Sequence, residues 1–399
     1  MQSLTPRERA LRAFSHQEPD RVPVFEIDVN SPILAAALGR DTWVGTGGYA
    51  MVAKCAEYLS SGRRDEYVEG LANDTIDMAR VFEWDIVPAS YCPTENPPIP
   101  NQVGERAWRY EHAENGVWYV MTYAPESDVA GQLDHSFCHD RIDGLKRYVL
   151  WREAQSVTPD EGALEVTRRV VEACKAERMV FAGWYDVPGA IDQAWMSLYF
   201  EWLLAEPEWM SRYLKVETDF LLAQIRRAAE IGVDGIIAGT DLAGRSGPFI
   251  SPRLYRQMIL PHFKRIVDHC HSVGLRVLKH TDGYLWPLER ELLVESGIDA
   301  IHSIDPTAGM DLGRMKERHG DHLVLCGNVD VSRILPFGTP EEIRREVRRC
   351  LRQGAPGGGF VLASSNSLHS QVPLENYLVM LDEAHRSGVY PIDLSPEDE

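Results

Sequence analysis

Basic residues are scarce relative to acidic ones in this sequence. Lys and Arg together number 41 against 60 Asp and Glu, so the formal net charge is −19. A surface that acidic repels phosphate backbones and anionic lipid, so we expect no binding to nucleic acid or to a membrane surface. No apolar run reaches the roughly 18–20 residues that span a bilayer, and the polar start MQSLTPRERALRAF lacks a signal-peptide core. These absences predict a soluble cytoplasmic protein.

Cysteine pairs and nucleotide-binding motifs are also missing. The seven cysteines are dispersed and none forms a CxxC pair, and an odd, scattered count in a long cytosolic chain predicts free thiols. Neither GxGxxG nor GxxxxGK followed by Ser or Thr is found after an apolar run. We therefore expect neither NAD nor a P-loop nucleotide as a cofactor.

What the sequence does contain is a regular alternation of short apolar segments with helical sequence. Eight such segments lie at residues 21–28, 81–89, 179–186, 233–241, 275–282, 299–305, 322–330 and 358–366. This alternation is typical of βαβ units and a parallel sheet. Eight units over 1–399 predict a single (β/α)8 TIM barrel, with a doubly wound sheet as the alternative.

Residues of about 90–145 interrupt this rhythm. The stretch RAWRYEHAENGVWYVMTYAP places Asn115-Gly116 between two aromatic-rich runs, which is a strong hairpin signal. We interpret it as an antiparallel insertion into the barrel and not as a separate domain. It could serve as a lid or as a dimer contact.

Polar side chains stand at the ends of most of the predicted strands. In a barrel of this kind the active site lies at the C-terminal ends of the strands. The groups found there are Glu26, Asp28, Tyr185, Asp186, Asp241, His280, Asp282, His302, Asp305, Asn328, Asp330, Ser364, Ser365 and Asn366, with His369 just beyond. His280 and Asp282 are two residues apart, share a strand face and can act together. Asp241 precedes a Gly-rich loop with Arg245 that looks suited to a substrate.

Some of these groups have ordinary structural interpretations. A carboxylate just before a helix is often an N-cap, and this applies to Asp186, Asp305 and Asp330. His302 is better explained as a structural side chain, and Cys326 is as readily a buried inert thiol as a ligand. The metal-capable run HSFCH at residues 135–139 has no partner cluster elsewhere.

Four segments of the sequence resemble the uroporphyrinogen decarboxylase-like superfamily. They are LTPRERALRAFSHQEPDRVPV, GPFISPRLYRQMILPHFKRIVDHCHSVGLRVLKHTDG, LCGNVD and GGGFVLASSN with the later VPLENY. The resemblance runs nearly the full length, apart from the region at about 90–145. It implies a (β/α)8 barrel, often found as a homodimer. It also implies one of two chemistries: decarboxylation of uroporphyrinogen, or zinc-dependent methyl transfer between corrinoid proteins and thiols or other acceptors.

The sequence departs from the true decarboxylases of that superfamily. Their arginine-rich motif, of the type MRQAGRYxPEY, is replaced here by FEIDVNSPILAAALGRD. Their substrate carries eight carboxylates and calls for a basic cleft, whereas this predicted mouth is acidic and has Arg245 as its one obvious cation. The GNLD-type segment is kept at residues 327–330, but the histidine of NLGHG is replaced by Asn366.

The methyltransferases of the superfamily are the better match, although two cysteines of their zinc site are absent. Their His-x-Cys motif reads His280-Thr281-Asp282 here, and the later region reads ASSNSLH. His280 and Asp282 could still hold zinc if Glu26 or His369 supplied a third ligand.

The leading hypothesis is therefore methyl transfer or demethylation of a small substrate, with metal assistance at His280 and Asp282. The acceptor would be a corrinoid on a separate protein, because no DxHxxG motif is present. Asp241 and Arg245 would orient the substrate. Hydrogen bonds would come from Tyr185, Asn328 and Asn366.

The alternative hypothesis is a metal-free decarboxylase or lyase that acts on a small carboxylic acid. His280 would then be the general acid, tuned by Asp282.

Overall fold

The strands of the protein form one large parallel sheet and two antiparallel ones. A computed structural model describes residues 3–44, 48–89, 92–191 and 193–395. The strands among these residues are β1 Ile86–Ala89, β2 Asn101–Gly104, β3 Ala107–His112, β4 Val117–Ala124, β5 Val129–His135, β6 Met179–Gly183, β7 Gly235–Ala238, β8 Ala243–Gly244, β9 Gly247–Pro248, β10 Arg276–Thr281, β11 Ala300–Ser303, β12 Val324–Val329 and β13 Phe360–Ser364.

Helices follow most of the strands, as the βαβ pattern requires. The α-helices are α1 Pro6–Ala13, α2 Ser31–Leu38, α3 Cys55–Ser60, α4 Arg64–Val81, α5 Ser136–Glu153, α6 Glu165–Cys174, α7 Met196–Ala205, α8 Pro207–Ile231, α9 Pro252–Leu254, α10 Leu260–Ser272, α11 Leu312–His319, α12 Ile334–Phe337, α13 Pro340–Gly354 and α14 Leu374–Ser387. Shorter π- and 3-10 helical turns lie at Tyr49–Lys54, Gly162–Leu164, Tyr255–Ile259, Trp286–Leu288, Glu289–Glu295 and Pro306–Ala308. Both α1 and α13 start with a capping box and a proline in the first turn.

Seven strands form the curled parallel sheet, in the order β1-β6-β7-β10-β11-β12-β13. This α/β arrangement is TIM-barrel-like. The predicted first strand, residues 21–28, is not a regular strand. It forms isolated bridges instead, pairing Val24 with Leu362 of β13 and Val29 with Leu368. Its chain bonds to both edges of the sheet, because Pro23 O accepts from Leu362 N and Val24 O accepts from Asp85 N.

The prediction of eight regular strands was therefore wrong by one strand in the described residues. The physical reason lies partly in Pro23, whose nitrogen cannot donate to a neighbouring strand. The second strand is also shorter than predicted, because α4 extends to Val81 and the strand begins only at Ile86.

Alternate residues of the parallel strands form the core inside the curled sheet. This cluster is made of Phe25, Ile27, Ile86, Met179, Phe181, Ile237, Leu278, Ala300, Val324, Cys326, Val361 and Ala363, with Ala10 and Ala13 of α1 and the following Phe14 against it. Neighbouring residues on each strand face the helices. Leu278 therefore fixes the interior face of β10, and His280 two residues later lies on the same face.

The region after β1 folds into a four-stranded antiparallel sheet in the order β2-β3-β4-β5. β3 and β4 pair around the Asn115-Gly116 turn, where Gly116 has a φ of 71°. The positive φ explains the choice of glycine at this turn. That the sheet is an insertion into a barrel, with a lid or dimer role, stays a prediction.

Two smaller expectations can be compared with the structure. The seven cysteines are free thiols, as predicted, and all but Cys138 are buried. Within the described ranges, no helix has both the length and the apolar character needed to cross a membrane.

Shortening a side chain inside the curled sheet should destabilise the fold strongly. Leu278 is fully buried in the interior cluster, so Leu278→Ala should lower the free energy of unfolding by about 2–5 kcal/mol. Urea denaturation followed by circular dichroism measures this. Leu204→Ala, at a side chain that is 71% exposed, is the matched control and should change it by less than about 0.5 kcal/mol. Equal effects of the two variants would contradict the assignment of the interior face.

Candidate active site

Two histidines on neighbouring strands meet at the C-terminal end of the curled sheet. His280 of β10 and His302 of β11 are register partners, and their Nδ1 atoms are 2.8 Å apart. Both side chains are buried. Burial, with Lys279 nearby, lowers the pKa of His280 to about 3, and burial beside His280 lowers the pKa of His302 well below its usual value. Both rings are therefore neutral at physiological pH.

Asp241 lies beside this histidine pair. It follows β7, the strand next to β10, and its Oδ1 is 4.0 Å from His280 Nε2. Its side chain keeps 28% of its surface exposed. Burial raises the pKa of Asp241, an effect that the Lys279 ammonium opposes. An imidazole nitrogen and a carboxylate oxygen thus converge at a partly open position.

Asp282 lies two residues after His280 and is hydrogen-bonded to two neighbours. Its backbone N–H donates to Asp241 Oδ1 at 3.3 Å, and its Oδ2 accepts from Asn366 Nδ2 at 2.5 Å. The following Gly283 has a φ of 84°, and a Cβ there would come within 2.5 Å of the Ala243 carbonyl oxygen. Glycine is therefore required for this turn to lie against the β8–β9 hairpin.

The arginine predicted to orient the substrate lies on that hairpin. Arg245 is at the turn between β8 and β9 and is exposed. The hairpin contacts the site through Tyr284 N, which donates to Gly244 O at 2.9 Å. Arg245 therefore lies near the rim, and its role stays a prediction.

Glu26 is not in the site, contrary to the expectation that it could be a metal ligand or bind substrate there. Phe25 and Ile27 face the interior of the sheet, so Glu26 between them faces the helix layer. It is fully buried and bonded to Ser364, whose N lies 2.9 Å from Oε1 and whose Oγ lies 2.6 Å from Oε2. Burial raises the pKa of Glu26 to about 8, although the Ser364 hydrogen bonds oppose this.

The hydrogen bonds of Ser364 connect the buried Glu26 to the site and show which of them carries the proton. Ser364 Oγ also contacts the Asn366 carbonyl oxygen, which can only accept. A hydroxyl has one proton, so Ser364 donates to Asn366 and accepts from the protonated Glu26. Glu26 is thus linked through Ser364 to the backbone of Asn366, whose side chain binds Asp282.

Three more predicted site residues are used elsewhere. His369 Nε2 donates to Val331 O at 2.8 Å and its Nδ1 accepts from Gln371 N at 3.3 Å, so neither nitrogen is left for a metal. Asn328 accepts from Arg349 on α13 at 3.1 Å and donates to Ile304 O at 2.9 Å. The phenol of Tyr185 lies against Gln224 on α8, and burial raises its pKa. Asn328 and Tyr185 therefore face the helix layer and not the mouth.

The structure adds two residues that the sequence interpretation missed, Trp184 and Lys279. Trp184 packs edge-on to His280, with ring centres 5.7 Å apart, and it covers Gly239, where a Cβ would come within 1.7 Å of its ring. Lys279 is 1% exposed and bonds to Asp186 Oδ2 at 2.5 Å and to Thr240 O at 2.6 Å. The presence of a lysine within the apolar run LRVLKH could have indicated a buried ion pair.

The Lys279–Asp186 pair lies beneath Asp241. These three residues line a cavity of about 40 Å³ whose other walls include Phe200, Phe249 and Ile259. Asp186 also accepts from Thr240 N at 3.0 Å and from Val187 N at 2.6 Å, which agrees with the turn-forming interpretation.

The described residues do not fit the expected zinc site. No group of three His, Cys, Asp or Glu side chains that could hold a metal is found in the part of the chain that the structure describes. His280 Nδ1 bonds to His302, Asp282 Oδ2 accepts from Asn366, Glu26 faces the helix layer, and both nitrogens of His369 are used. The HSFCH run serves another purpose, since His135 caps α5 and His139 Nε2 lies 2.9 Å from Asp134. We therefore derive no step that involves zinc.

Comparison with known proteins finds similarity to uroporphyrinogen decarboxylases over part of the chain. Residues 193–387 match the family model described as uroporphyrinogen decarboxylase. A uroporphyrinogen decarboxylase from Psychromonas ingrahamii is 28% identical over 57% of this chain and 66% of its own length. One from Aliivibrio salmonicida is 28% identical over 50% of this chain and 55% of its own length. The matches thus leave at least a third of each of these relatives uncovered.

One solved structure matches over nearly the whole chain. It is a methyltransferase from Methanosarcina mazei, with a TM-score of 0.64 and 17% identity, over 96% of this chain and 99% of that one. At this identity the likeness concerns the fold.

The buried carboxyl of Glu26 should make the stability of the protein fall as pH rises. The native carboxyl keeps its proton up to about pH 8, whereas an unfolded chain loses it near pH 4.3. Between these values the native state binds more protons, so the free energy of unfolding falls with pH, by at most about 1.4 kcal/mol per pH unit. Urea denaturation between pH 5 and 8 should show a flatter pH dependence for Glu26→Gln than for wild type.

The exposed Glu172 provides the control for this experiment. Glu172→Gln should reproduce the wild-type pH dependence. If Glu26→Gln also does so, the native carboxyl is ionised and the proton balance given above is wrong.

Proposed function

We propose that the chain, which is similar to the uroporphyrinogen decarboxylase family over residues 193–387, is an enzyme that removes a methyl group from a small substrate and passes it to a corrinoid on a separate protein. The observation that supports this most directly is the convergence of His280 Nε2 and Asp241 Oδ1, 4.0 Å apart, at a partly exposed position. If a substrate heteroatom lay about 2.8 Å from each of these two atoms, the angle between them at the heteroatom would be roughly 90°. Both groups can thus address the atom that loses the methyl group.

The charge of the site supports a substrate without carboxylates. Asp241 and Asp282 lie at the mouth, while the buried Lys279 ammonium is paired with Asp186. Arg245 is exposed on the hairpin. A polycarboxylate would meet repulsion without a cluster of basic partners. A neutral or cationic methylated amine, thiol or ether fits this mouth better.

Residues of this chain have to supply a proton to the heteroatom after the methyl group leaves. When the carbon–heteroatom bond breaks, its electron pair stays on the heteroatom, and that atom gains basicity. The carboxyl of Asp241, whose pKa burial raises, is placed to supply the proton. His280 Nε2 orients the same atom. The corrinoid, when its carrier protein docks, supplies the nucleophile that takes the methyl group.

The comparisons support this proposal to different extents. A solved structure that spans nearly the whole chain is a methyltransferase, and at 17% identity this likeness supports only the fold on which such chemistry can occur. The curated relatives are decarboxylases, but the arginine-rich motif of that chemistry is missing from residues 25–41. The acidic mouth and the missing arginines together favour methyl transfer.

Replacing Asp241 should impair turnover. Asp241→Asn keeps the shape and removes the proton donor, so we expect kcat to fall about 10²- to 10⁴-fold. An anaerobic assay with chemically reduced free cobalamin and a panel of methylated amines, thiols and ethers measures methylcobalamin formation by absorbance. The exposed Asp268 provides the control, and Asp268→Asn should keep wild-type turnover.

A different outcome would replace this function. If no methylated compound reacts, but the protein releases CO2 from small carboxylic acids and Asp241→Asn abolishes that release, the activity is a decarboxylation and methyl transfer is wrong.

A further inference from the structure

A small apolar cavity adjoins the carboxyl of Asp241, the proposed proton donor. The Lys279–Asp186 ion pair lines the same cavity. Its other walls are mostly hydrophobic and include the side chains of Phe200, Leu242, Phe249, Ile250 and Ile259. The cavity volume of about 40 Å³ leaves room for about three water-sized groups, at roughly 10–15 Å³ each. A short hydrocarbon group therefore fits this cavity, whereas the six carbons of an aryl ring exceed its volume.

The polar side chains of the cavity are paired within the protein. Lys279 Nζ donates to Asp186 Oδ2 at 2.5 Å and to Thr240 O at 2.6 Å. Asp186 also accepts from the backbone N–H groups of Thr240 and Val187. A polar ligand would have to compete with these bonds, whereas an apolar ligand gains affinity simply by leaving water. The chemistry of the walls therefore favours a hydrocarbon group.

Two aromatic rings from different elements lie where this cavity meets solvent. Phe200 of α7 is half-buried, and Phe249, which follows β9, is 40% exposed. Their ring centres are 6.1 Å apart. Phe249 N donates to Leu242 O at 3.0 Å, so the segment that carries Phe249 is held against the residue that follows Asp241. The two rings thus limit the length of a group that enters from the side of Asp241.

We propose that this cavity binds a short alkyl group of the substrate, and that the substrate is an alkyl methyl thioether or ether with about three carbons in that group. The heteroatom would lie in the gap between His280 Nε2 and Asp241 Oδ1, and the alkyl group would extend past Asp241 into the cavity. The reaction rests on the function proposed above, whereas binding of the alkyl group depends on the cavity alone.

The reaction of a thioether in this position is balanced by groups already named. Cleavage of the methyl–sulfur bond leaves the electron pair on sulfur. Sulfur then takes the proton of Asp241, so the alkyl group leaves as a thiol while the methyl group goes to the corrinoid. The thiol stays in place until its alkyl group leaves the cavity.

A series of thioethers tests the cavity without any corrinoid. Ligand-observed NMR titrations measure Kd for dimethyl sulfide and for the ethyl, propyl, butyl, pentyl and hexyl methyl sulfides. We expect Kd to fall about three- to fourfold per added methylene, the gain for one buried CH2, as far as propyl or butyl. Beyond that length Kd should stay within about twofold. A constant Kd from dimethyl to butyl, or a Kd that keeps falling through hexyl, would overturn the proposal.

Variants of the two rings show whether the length limit comes from this cavity. Phe200→Ala removes a wall, so Kd for propyl methyl sulfide should rise at least threefold, and the levelling of Kd should move to longer chains by two carbons or more. Phe249→Ala, at a more exposed ring, should also weaken binding of the propyl compound and decides the question if Phe200→Ala is unfolded in a thermal melt. Phe337→Ala, at a side chain that is 74% exposed, is the matched control and should reproduce the wild-type series. Wild-type series in both ring variants would place the alkyl group elsewhere and refute the inference.

The outcomes separate this inference from the proposed function. A crystal of the protein with propyl methyl sulfide, measured at long wavelength, locates the ligand sulfur by anomalous scattering. If the sulfur lies between His280 and Asp241 with its chain toward Phe200, but reduced cobalamin gains no methyl group, the alkyl site is supported and methyl transfer is wrong. If thioethers are demethylated at rates that do not depend on chain length, and the chain points into solvent, methyl transfer is supported and this inference is wrong.

Discussion

The alternation of side chains along β10 is the constraint on which the rest of the site depends. Leu278 and His280 face the interior of the curled sheet, while Lys279 between them faces the helix layer. This two-residue period places an imidazole at the mouth and an ammonium behind it. Because the ammonium is directed away from the interior, its charge is used to hold the scaffold. A one-residue shift of register would exchange the two groups.

Two chains of hydrogen bonds hold the two carboxylates of the mouth. On one side, Lys279 and Asp186 bind the backbone of Thr240, the residue before Asp241. On the other side, Glu26 binds Ser364, Ser364 binds the backbone of Asn366, and the Asn366 side chain binds Asp282. Buried charges are costly unless they are paired and hydrogen-bonded, and both chains satisfy this condition, one by an ion pair and the other by a retained proton. Buried side chains on the helix side of the sheet thus fix the positions of both carboxylates.

Much of this architecture could be predicted from sequence, and the exceptions have identifiable causes. Apolar runs alternating with helices indicated the seven parallel strands, and the adjacency of Asp241 and His280 followed from strand order in a barrel. The orientation of Glu26 was also available, since it lies between Phe25 and Ile27, which are typical interior residues. The orientation of Asn328 was harder to predict from sequence. Gly327 before it has a φ of 141°, outside the strand region, so the alternation that would have pointed Asn328 inward fails there.

The pairing of Lys279 with Asp186 could not be read locally, because the partners are 93 residues apart. The same holds for the contact between His280 and His302, which depends on the register of two strands. His302 looked structural because an imidazole at a buried strand end needs no function. Because the two imidazoles meet through Nδ1, one ring donates and the other accepts, so their proton positions are linked. His280 and His302 therefore share one arrangement of protons beside Asp241.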